Sequence, residues 1–372
     1  MASARRLTVI QLVPALETGG AERSAVEIAR ALVAAGHRSI VVSSGGKLAA
    51  RLVAEGSEHV EMPIAKKSLG TLRQIAPLRE LIRREQADIV HARSRVPAWL
   101  GWLAVRGLTP RPHFVTTAHG LNTPGWYSAI MTRGERVVCV SNTVRDHLLH
   151  HYPRTDPAKL IVIPRGVDAE AFPYGYQPGD SWREWFFAEF PQLEGVPLLT
   201  LPGRGTRLKG HADAIELVAD LKARGIEVAL LLLGAHQPGR ERYIAELTEL
   251  AMARDVYERL AISAPRDDVR DVYAISSLVL QLSAKPEAFG RTVIEALSLC
   301  RPVLGYDHGG VGELLSDLYP AGRVAPGDRA RLVERAAELL HRAPAIAPLQ
   351  RYRLADMQEA TLAMYEDVVA SR

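Results

Sequence analysis

Short apolar segments alternate with amphipathic helical segments along the first half of the chain. Between residues 21 and 35 the apolar side chains recur every three or four positions, which predicts a helix, and Gly36 suits its end. This alternation indicates a parallel sheet with helices on both faces. The predicted strands of this half are Leu7–Val13, Ser39–Ser43, Asp88–His91, His113–Thr117, Arg136–Val140 and Leu160–Ile163.

The alternation stops between Pro173 and Pro197, a segment rich in proline, glycine and aromatic residues, and then begins again. We interpret the two halves as doubly wound α/β domains. We predict a first domain over residues 1–172, a linker with an aromatic helix over 173–196, a second domain over 197–345, and a C-terminal helix within 346–372. The predicted strands of the second half are Val196–Leu201, Val228–Leu233, Leu260–Ser263, Leu278–Leu282 and Val303–Tyr306.

Composition narrows the classes of protein that this pattern fits. The chain has 372 residues, of which 47% are hydrophobic. Its apolar runs are far shorter than the ~20 residues that cross a bilayer, which argues against a transmembrane protein. The two cysteines show neither a disulfide framework nor metal-ligand spacing, so we expect a cytoplasmic location. We interpret Leu7–Val13 as a buried strand and not as part of a signal peptide.

Charge is distributed unevenly along the chain. Residues 1–170 have 23 lysines and arginines against 14 aspartates and glutamates, whereas residues 171–372 have 23 against 28. A basic first half indicates an anionic partner, and nucleic acid, a phospholipid surface and a phosphorylated substrate all fit.

The strand-to-helix loops should carry the chemistry, because ligands of open α/β sheets bind beyond the carboxyl ends of the strands. With two such domains, we expect the site in the cleft between them. Gly19 and Gly20 open a helix directly after the first strand, which suits either a bound phosphate or an ordinary turn. His119 follows another strand and precedes a glycine, where it either meets a substrate or is structural.

Two loops of the second half are richer in candidate chemistry. The first holds three glycines and three cations between Gly203 and Gly210. Arg204 as a forked donor and Lys209 as a point charge suit a diphosphate, although a solvated basic turn has the same composition. In the second, Glu287 lies in a loop and Glu295 lies one turn inside the next helix. Such carboxylates suit sugar and ribose hydroxyls, although either one alone is typical of a surface.

Taken in order, the motifs of these loops resemble those of the family 4 nucleotide-sugar glycosyltransferases, which have the GT-B fold. The resemblance implies two Rossmann-like domains facing a cleft, with the last helix crossing back onto the first domain. The motifs that carry it are Gly-Gly-Ala-Glu-Arg from Gly19, Thr-Ala-His-Gly from Thr117, Val140-Ser141-Asn142, the segment from Val162 to Asp168, Gly203-Arg204 with Lys209-Gly210, and the pair Glu287 and Glu295.

The resemblance implies a retaining transfer of a sugar from a nucleoside diphosphate to an acceptor hydroxyl. Among the catalytic residues that it implies, Arg204 and Lys209 neutralise the diphosphate and Glu287 holds the hydroxyls of the donor sugar. His119, also catalytic, lies near the anomeric centre, and Glu295 holds the ribose. The remaining donor-binding residues by this resemblance are Gly19, Gly20, Gly203, Arg266, Phe289, Gly290, Arg291 and Thr292.

The chain departs from the family pattern at two points. Arg165 stands where the pattern has asparagine, and Ser263 to Arg266 replace a loop that usually carries a glycine beside the nucleotide base. The second departure leaves uridine and guanosine open, and we expect a UDP-sugar in preference to a GDP-sugar. Because the sequence has no Asp-x-Asp motif, we expect metal-independent chemistry with no cofactor besides this co-substrate.

The acceptor side is predicted from the basic first half. Residues 66–84 combine lysines and arginines with interleaved leucines and isoleucines, which suits either an anionic inner-leaflet membrane surface or a solvated helix. Arg93, Arg95 and Asn142 are predicted to bind a glycan or lipid-linked acceptor. Since many members of the family build lipopolysaccharide core or lipid-linked glycans, the resemblance implies an acceptor of the cell surface.

Two functions from other classes stay open as alternatives. A non-hydrolysing nucleotide-sugar 2-epimerase would turn over the donor without an acceptor. A non-catalytic nucleotide-sugar-binding protein would bind UDP and transfer nothing. No interleaving of aromatic and basic residues typical of nucleic-acid binding occurs, so we expect no nucleic-acid partner.

Overall fold

A computed structural model describes residues 5–17 and 19–371 of the chain. The chain divides into two compact units. The first is formed by residues up to Arg165 together with Leu354 onwards, and the second by Gly166–Arg353. Residues 173–196, which the sequence predicts as a linker, lie within the second unit.

The first unit is built on a parallel sheet in which the described strands lie in the order β3-β2-β1-β4-β5-β6-β7 when numbered along the chain. The sequence predicts all of these strands except β3, because its two exposed glutamates at the sheet edge hide any alternation of buried and polar positions. The strands are Thr8–Leu12 (β1), Arg38–Ser43 (β2), Glu58–Glu61 (β3), Ile89–Ala92 (β4), His113–Ala118 (β5), Arg136–Cys139 (β6) and Leu160–Val162 (β7).

The second unit has a parallel sheet of six described strands, in the order β10-β9-β8-β11-β12-β13. The five predicted strands are confirmed with small shifts in their bounds, whereas β13 has only two residues and is too short to show a periodic pattern. The strands are Leu198–Pro202 (β8), Ala229–Leu233 (β9), Leu260–Ile262 (β10), Leu278–Gln281 (β11), Val303–Tyr306 (β12) and Arg323–Val324 (β13).

Helices connect the strands of both units, as the alternation predicts. The described α-helices are Gly20–Ala34 (α1), Ala49–Ala54 (α2), Leu69–Leu72 (α3), Ile75–Arg84 (α4), Arg95–Val105 (α5), Asn142–His151 (α6), Asp180–Glu189 (α7), His211–Ala223 (α8), Glu241–Ala253 (α9), Val269–Ile275 (α10), Arg291–Ser298 (α11), Gly309–Leu318 (α12), Arg329–Arg342 (α13) and Leu354–Ala370 (α14). None of them is both long and apolar enough to cross a membrane.

The last helix, α14, completes the core of the first unit. Its Met357, Tyr365 and Val368 are almost fully buried in a cluster that includes Val9 of β1 and Leu32 of α1. The expected return of the C-terminal helix to the first domain is therefore confirmed. The helix begins at Leu354, inside the predicted range of 346–372.

Both sheets reverse their strand order at an internal point, between β1 and β4 in the first unit and between β8 and β11 in the second. Loops that leave the carboxyl ends of the two strands at such a point diverge to opposite faces of the sheet and leave room for a ligand. The loops that follow these four strands hold most of the residues that the sequence selects.

Candidate functional site

The loop between β8 and α8 lies unusually close to neighbouring strand ends. A Cβ atom at Gly205 would lie 2.2 Å from the carbonyl oxygen of Ala235, and one at Gly210 would lie 2.0 Å from that of Leu282. Gly210 also has a φ of +76°. These contacts need glycine at both positions, so the loop is fixed against the carboxyl edge of the sheet.

Lys209 and Glu287 form an ion pair at this edge. The Lys209 ammonium donates to Oε1 of Glu287 over 2.5 Å, and the hydroxyl of Ser283 donates to the same oxygen. The two charged side chains keep 26% and 22% of their surface exposed, respectively. The structure therefore brings together two predicted catalytic residues in a position that solvent and a ligand can reach.

A second glycine-rich turn, at Gly309 and Gly310, contacts the backbone of Glu287. The Gly310 N–H donates to the carbonyl oxygen of Glu287 over 2.8 Å, and a Cβ at Gly309 would lie 2.6 Å from that same oxygen. Nε2 of His308 lies 2.8 Å from the carbonyl oxygen of Ser283. Sequence reasoning missed Ser283 and His308, although each lies within two residues of a strand's carboxyl end.

Helix α11 begins at Arg291, at the same edge of the sheet. Its N-cap, Gly290, has a φ of +108°, and the Thr292 hydroxyl accepts a hydrogen bond of 2.8 Å from the Gln281 side chain. Phe289 and Glu295 are both more than nine-tenths buried. The positive end of a helix dipole favours an anion, so the start of α11 suits a phosphate at this edge of the sheet.

Two predicted donor-binding arginines differ sharply. The guanidinium of Arg204 is exposed and has no hydrogen bond or ion pair within the described part of the chain. Arg266, in contrast, pairs with Asp268 and Glu189 at 2.8 Å and lies 5.0 Å from the Trp185 ring. Arg204 is therefore available to a ligand, whereas Arg266 is engaged in holding α7 to the second unit. A donor role for Arg266 stays a prediction.

His211 opens α8 beside Lys209 and is fully buried. Burial, with a smaller contribution from the positive charge of Lys209, lowers the pKa of His211 to about 4. Its Nδ1 lies 3.3 Å from the hydroxyl of Tyr243. The imidazole is therefore neutral at physiological pH and adds no charge to the site.

The candidate residues at the carboxyl edge of the first unit occupy four separate elements. Gly19 and Gly20 are exposed at the start of α1, and a Cβ at Gly20 would meet nothing within 4 Å. His119 follows β5 and is half-buried, and Asn142 is exposed at the start of α6. Arg95 opens α5 and donates to the Ser128 hydroxyl over 3.2 Å. Their predicted roles stay predictions.

Arg93 is buried, with 3% of its surface exposed, in a polar network under this edge. Its Nε donates to Gln11 over 2.7 Å, while His91 lies 2.5 Å from the Tyr365 hydroxyl of α14 and 2.6 Å from Thr117. Burial lowers the pKa of His91 and of Arg93, and raises the pKa of Tyr365 to about 12. This network connects α14 to β4 and β5. Because Arg93 is buried within it, its side chain is less accessible to an acceptor than the sequence predicts.

The two edges thus offer different chemistry. In the second unit, a cation, a carboxylate and a helix start surround one accessible place, which can hold an anion and hydroxyl groups together. Among the described residues, no group of three or more histidines, cysteines, aspartates and glutamates is arranged to hold a metal ion.

Sequence comparison finds relatives for both halves. The family model for Glycosyltransferase Family 4 matches residues 18–171, and that for Glycosyl transferases group 1 matches residues 183–353. Alpha-maltose-1-phosphate synthase of Mycolicibacterium smegmatis is 27% identical over 262 residues, which make up 65% of this chain and 65% of that protein. The match therefore spans slightly less than two thirds of that relative.

Solved structures confirm the fold. A glycosyltransferase from Rickettsia africae is 28% identical with a TM-score of 0.85, covering 99% of this chain and 100% of that one. Anabaena HepE in complex with UDP-glucose is 19% identical with a TM-score of 0.79, covering 97% and 100%. The two Rossmann-like units correspond to the GT-B architecture.

Proposed function

Because the chain belongs to the group 1 glycosyltransferases, we propose that it moves a sugar from a nucleoside diphosphate to an acceptor hydroxyl and binds this donor in its second unit. The observation that carries the proposal is the accessible pair of Lys209 and Glu287 at the switch point between β8 and β11. Each residue offers one of the two interactions that a sugar diphosphate needs.

Lys209 can hold Glu287 and a phosphate at the same time. An ammonium group has three N–H donors, and Glu287 accepts from one of them. The other two can reach diphosphate oxygens. Lys209 and Ser283 both donate to Oε1 of Glu287, whereas Oε2 has no hydrogen bond within the described residues. Oε2 can therefore accept a hydrogen bond from a sugar hydroxyl.

Arg204 supplies the second cation. Its exposed guanidinium can bind two phosphate oxygens side by side, which Lys209 cannot do. As the bond between the anomeric carbon and the diphosphate oxygen of the donor breaks, negative charge grows on the departing diphosphate while the sugar gains positive charge. Cations already fixed in place lower the free energy of that transition state.

The nucleoside and the stereochemistry complete the donor proposal. Glu295 on α11 holds the ribose, and the base is uracil in preference to guanine, supported by the UDP-glucose that a structural neighbour binds. For His119 of the first unit we propose a role at the anomeric carbon. Transfer proceeds with retention of configuration and without a metal ion, as the motif resemblance implies.

The acceptor proposal rests on the first unit. In the basic segment 66–84, Arg83 is paired with Glu80 and Arg84 with Glu85, while Arg79 donates to backbone carbonyls of α5. The charge left for an anionic partner therefore lies in the first half of the segment, at Lys66, Lys67 and Arg73. We propose an acceptor of lipopolysaccharide core or another cell-surface glycan, bound in the cytoplasm at the inner face of the membrane.

The function can be tested without knowing the acceptor, because water can replace the acceptor hydroxyl in a slow reaction that transfers the sugar to water and releases UDP. The purified chain is incubated separately with UDP-glucose, UDP-galactose, UDP-N-acetylglucosamine and GDP-mannose, with and without EDTA. Proton NMR then follows the anomeric signals. We expect one UDP-sugar to yield UDP and a sugar released first as the α anomer, equally with EDTA present.

Matched variants link this reaction to the proposed site. Lys209→Ala should lower the rate of UDP release by roughly 10²–10³, whereas Lys222→Ala should not, because Lys222 forms a comparable exposed pair with Asp255 elsewhere in the second unit. A new UDP-sugar formed without UDP release would show an epimerase instead. Binding of UDP with no turnover of any donor, even with glycan acceptors added, would show a non-catalytic binding protein.

A further inference from the structure

An exposed apolar pocket of about 540 Å³ lies in the first unit. Its rim includes Leu69 with 85% of its surface exposed, Trp126 with 77% and Leu72 with 47%. Large apolar side chains this exposed and this close together mark a binding surface more often than an ordinary one. The remaining lining is formed by Val96, Trp99, Leu100, Leu103 and Tyr127, with Lys66, Lys67, Ser68 and Thr71.

The polar groups in the wall of this pocket already have partners. The Ser68 and Thr71 hydroxyls lie 2.9 Å apart, and that of Thr71 donates to the carbonyl oxygen of Lys66 over 2.7 Å. The indole N–H of Trp99 donates to the carbonyl oxygen of Tyr127 over 3.0 Å. The wall therefore offers hydrocarbon and few groups that could bind the hydroxyls of a glycan.

Cations surround the mouth of the pocket. Nζ of Lys67 lies 4.3 Å from the centre of the Tyr127 ring, and the Arg95 guanidinium lies 5.4 Å from it. Lys66 and Lys67 are exposed. Within the described residues, neither these lysines nor Arg95 forms an ion pair with a carboxylate. The mouth thus has uncompensated positive charge beside an apolar interior.

The pocket is continuous with the carboxyl edge of the first sheet. Arg95 opens α5 directly after β4, one of the two strands at the switch point, and Val96 to Leu103 of the same helix form one wall. A molecule with its apolar part in the pocket therefore has its polar end next to the edge where an acceptor is expected.

We propose that this pocket binds the hydrocarbon chain of a lipid-linked acceptor, whose phosphate-bearing head lies against Lys66, Lys67 and Arg95. Charge complementarity selects the anionic head, and the apolar wall selects the chain. The volume lies within the range of pockets that enclose a single small ligand. The role as acceptor rests on the proposed function, whereas binding of the amphiphile does not require catalysis.

Alkyl phosphates test the site directly on the full chain. Butyl phosphate and dodecyl phosphate, the latter below its critical micelle concentration, are titrated while the fluorescence of the pocket tryptophans is followed. Each buried methylene improves affinity roughly fourfold, so dodecyl phosphate should bind at least about a hundredfold more tightly than butyl phosphate. Equal affinity for the two probes would overturn the proposal.

Exposed positions give variants that should fold normally. Leu69→Gln and Lys67→Gln should each weaken dodecyl phosphate binding roughly tenfold, because one removes apolar contact and the other removes charge. Val53→Gln, at an apolar side chain with 54% exposure on α2, and Lys159→Gln, at an exposed lysine, are the matched controls and should change nothing. Loss of affinity in the controls alone, or no loss in the two pocket variants, contradicts the assignment.

Vesicles distinguish a single bound chain from contact with a bilayer. If the chain sediments with phosphatidylglycerol vesicles, loses this in Leu69→Gln and yet binds no dodecyl phosphate, the patch is a membrane contact and the pocket assignment is wrong. The proposed transfer reaction is scored separately by UDP release. Dodecyl phosphate binding without any donor turnover therefore contradicts the enzyme proposal and leaves the pocket in place.

Discussion

Both sheets have a switch point at their carboxyl edge, but the polar residues there are buried in the first unit and accessible in the second. In the first unit, the buried His91 of β4 contacts Tyr365 of α14, and the buried Arg93, directly after β4, donates to Gln11 of β1. In the second unit, Lys209 and Glu287 stay accessible among glycines. A switch point therefore gives a place for a ligand, and burial decides which of the residues there can meet it.

The glycine content of the loops explains the difference in physical terms. Gly205, Gly210 and Gly309 let their loops lie against backbone that any Cβ would strike. Because the loop backbones are fixed by these contacts, Lys209 and Glu287 can stay in place while partly exposed to solvent. In the first unit, α14 packs on the sheet instead. Polar residues beneath α14, such as His91, are buried and need hydrogen-bond partners inside the core.

The largest expected effect comes from removing the Tyr365 side chain. Tyr365→Ala deletes a fully buried aromatic side chain and its contact with His91, which should lower the free energy of unfolding by about 4 kcal/mol. Tyr365→Phe keeps the packing and should cost only about 1 kcal/mol. Urea denaturation measures both. If Tyr365→Ala costs no more than Tyr365→Phe, α14 does not stabilise the first unit through this side chain.

The next effect concerns catalysis at the accessible edge. Lys209→Ala removes a donor aimed at the leaving diphosphate and should lower kcat by roughly 10²–10³, with little change in the free energy of unfolding because the Glu287 pair is partly exposed. Steady-state kinetics with the preferred UDP-sugar measure it. A decrease that only matches that of Lys222→Ala would remove Lys209 from the transition state.

The buried His211 makes stability depend on pH. Its pKa of about 4 in the folded chain lies below its ordinary value of about 6.5, so between these pH values only the unfolded chain takes up the proton. The stabilisation is complete above pH 6.5 and decreases as the pH falls, by about 2 kcal/mol at pH 5. His91 acts in the same direction. This contribution is isolated by measuring the free energy of unfolding of wild type and His211→Asn with urea at pH 8 and at pH 5. If the free energy of unfolding decreases by the same amount in both proteins between these pH values, the prediction is contradicted.

The smallest effect separates the two predicted acceptor arginines. Arg95 is half-buried at the start of α5, so Arg95→Ala should raise the KM for the acceptor about tenfold by removing one charge-assisted hydrogen bond. Arg93 is buried, and Arg93→Ala should change the melting temperature and leave that KM within about twofold. If Arg93→Ala raised the KM for the acceptor and Arg95→Ala did not, Arg93 would be the residue that contacts the acceptor.

Much of the fold follows from the sequence pattern, because buried strands are short and mainly apolar, and β9 is apolar throughout. The two strands that the pattern misses are at sheet edges: β3 is polar and exposed, and β13 is two residues long. Residues 173–196 suggest a linker because they are rich in proline, but aromatic packing around Arg266 places α7 in the second unit.

The candidate site was predictable where motif and spacing determine the backbone, and less so where burial decides. The positions of Lys209 and Glu287 in facing loops follow from their strand ends. The sequence cannot show that Arg93 is buried, since this depends on α14, whose Tyr365 is 272 positions further along the chain. It also cannot show that Ser283 donates to Glu287, because a serine in a loop carries no distinguishing signal.

The most direct test of the account is a calorimetric titration of UDP into wild type, Arg204→Ala, Lys209→Ala and Lys222→Ala. We expect UDP to bind wild type and Lys222→Ala with the same Kd. Arg204→Ala and Lys209→Ala should each raise that Kd at least tenfold, because each loses a charge-assisted hydrogen bond to the diphosphate. Equal affinity of all four proteins for UDP would contradict the claim that the accessible edge of the second unit binds the donor.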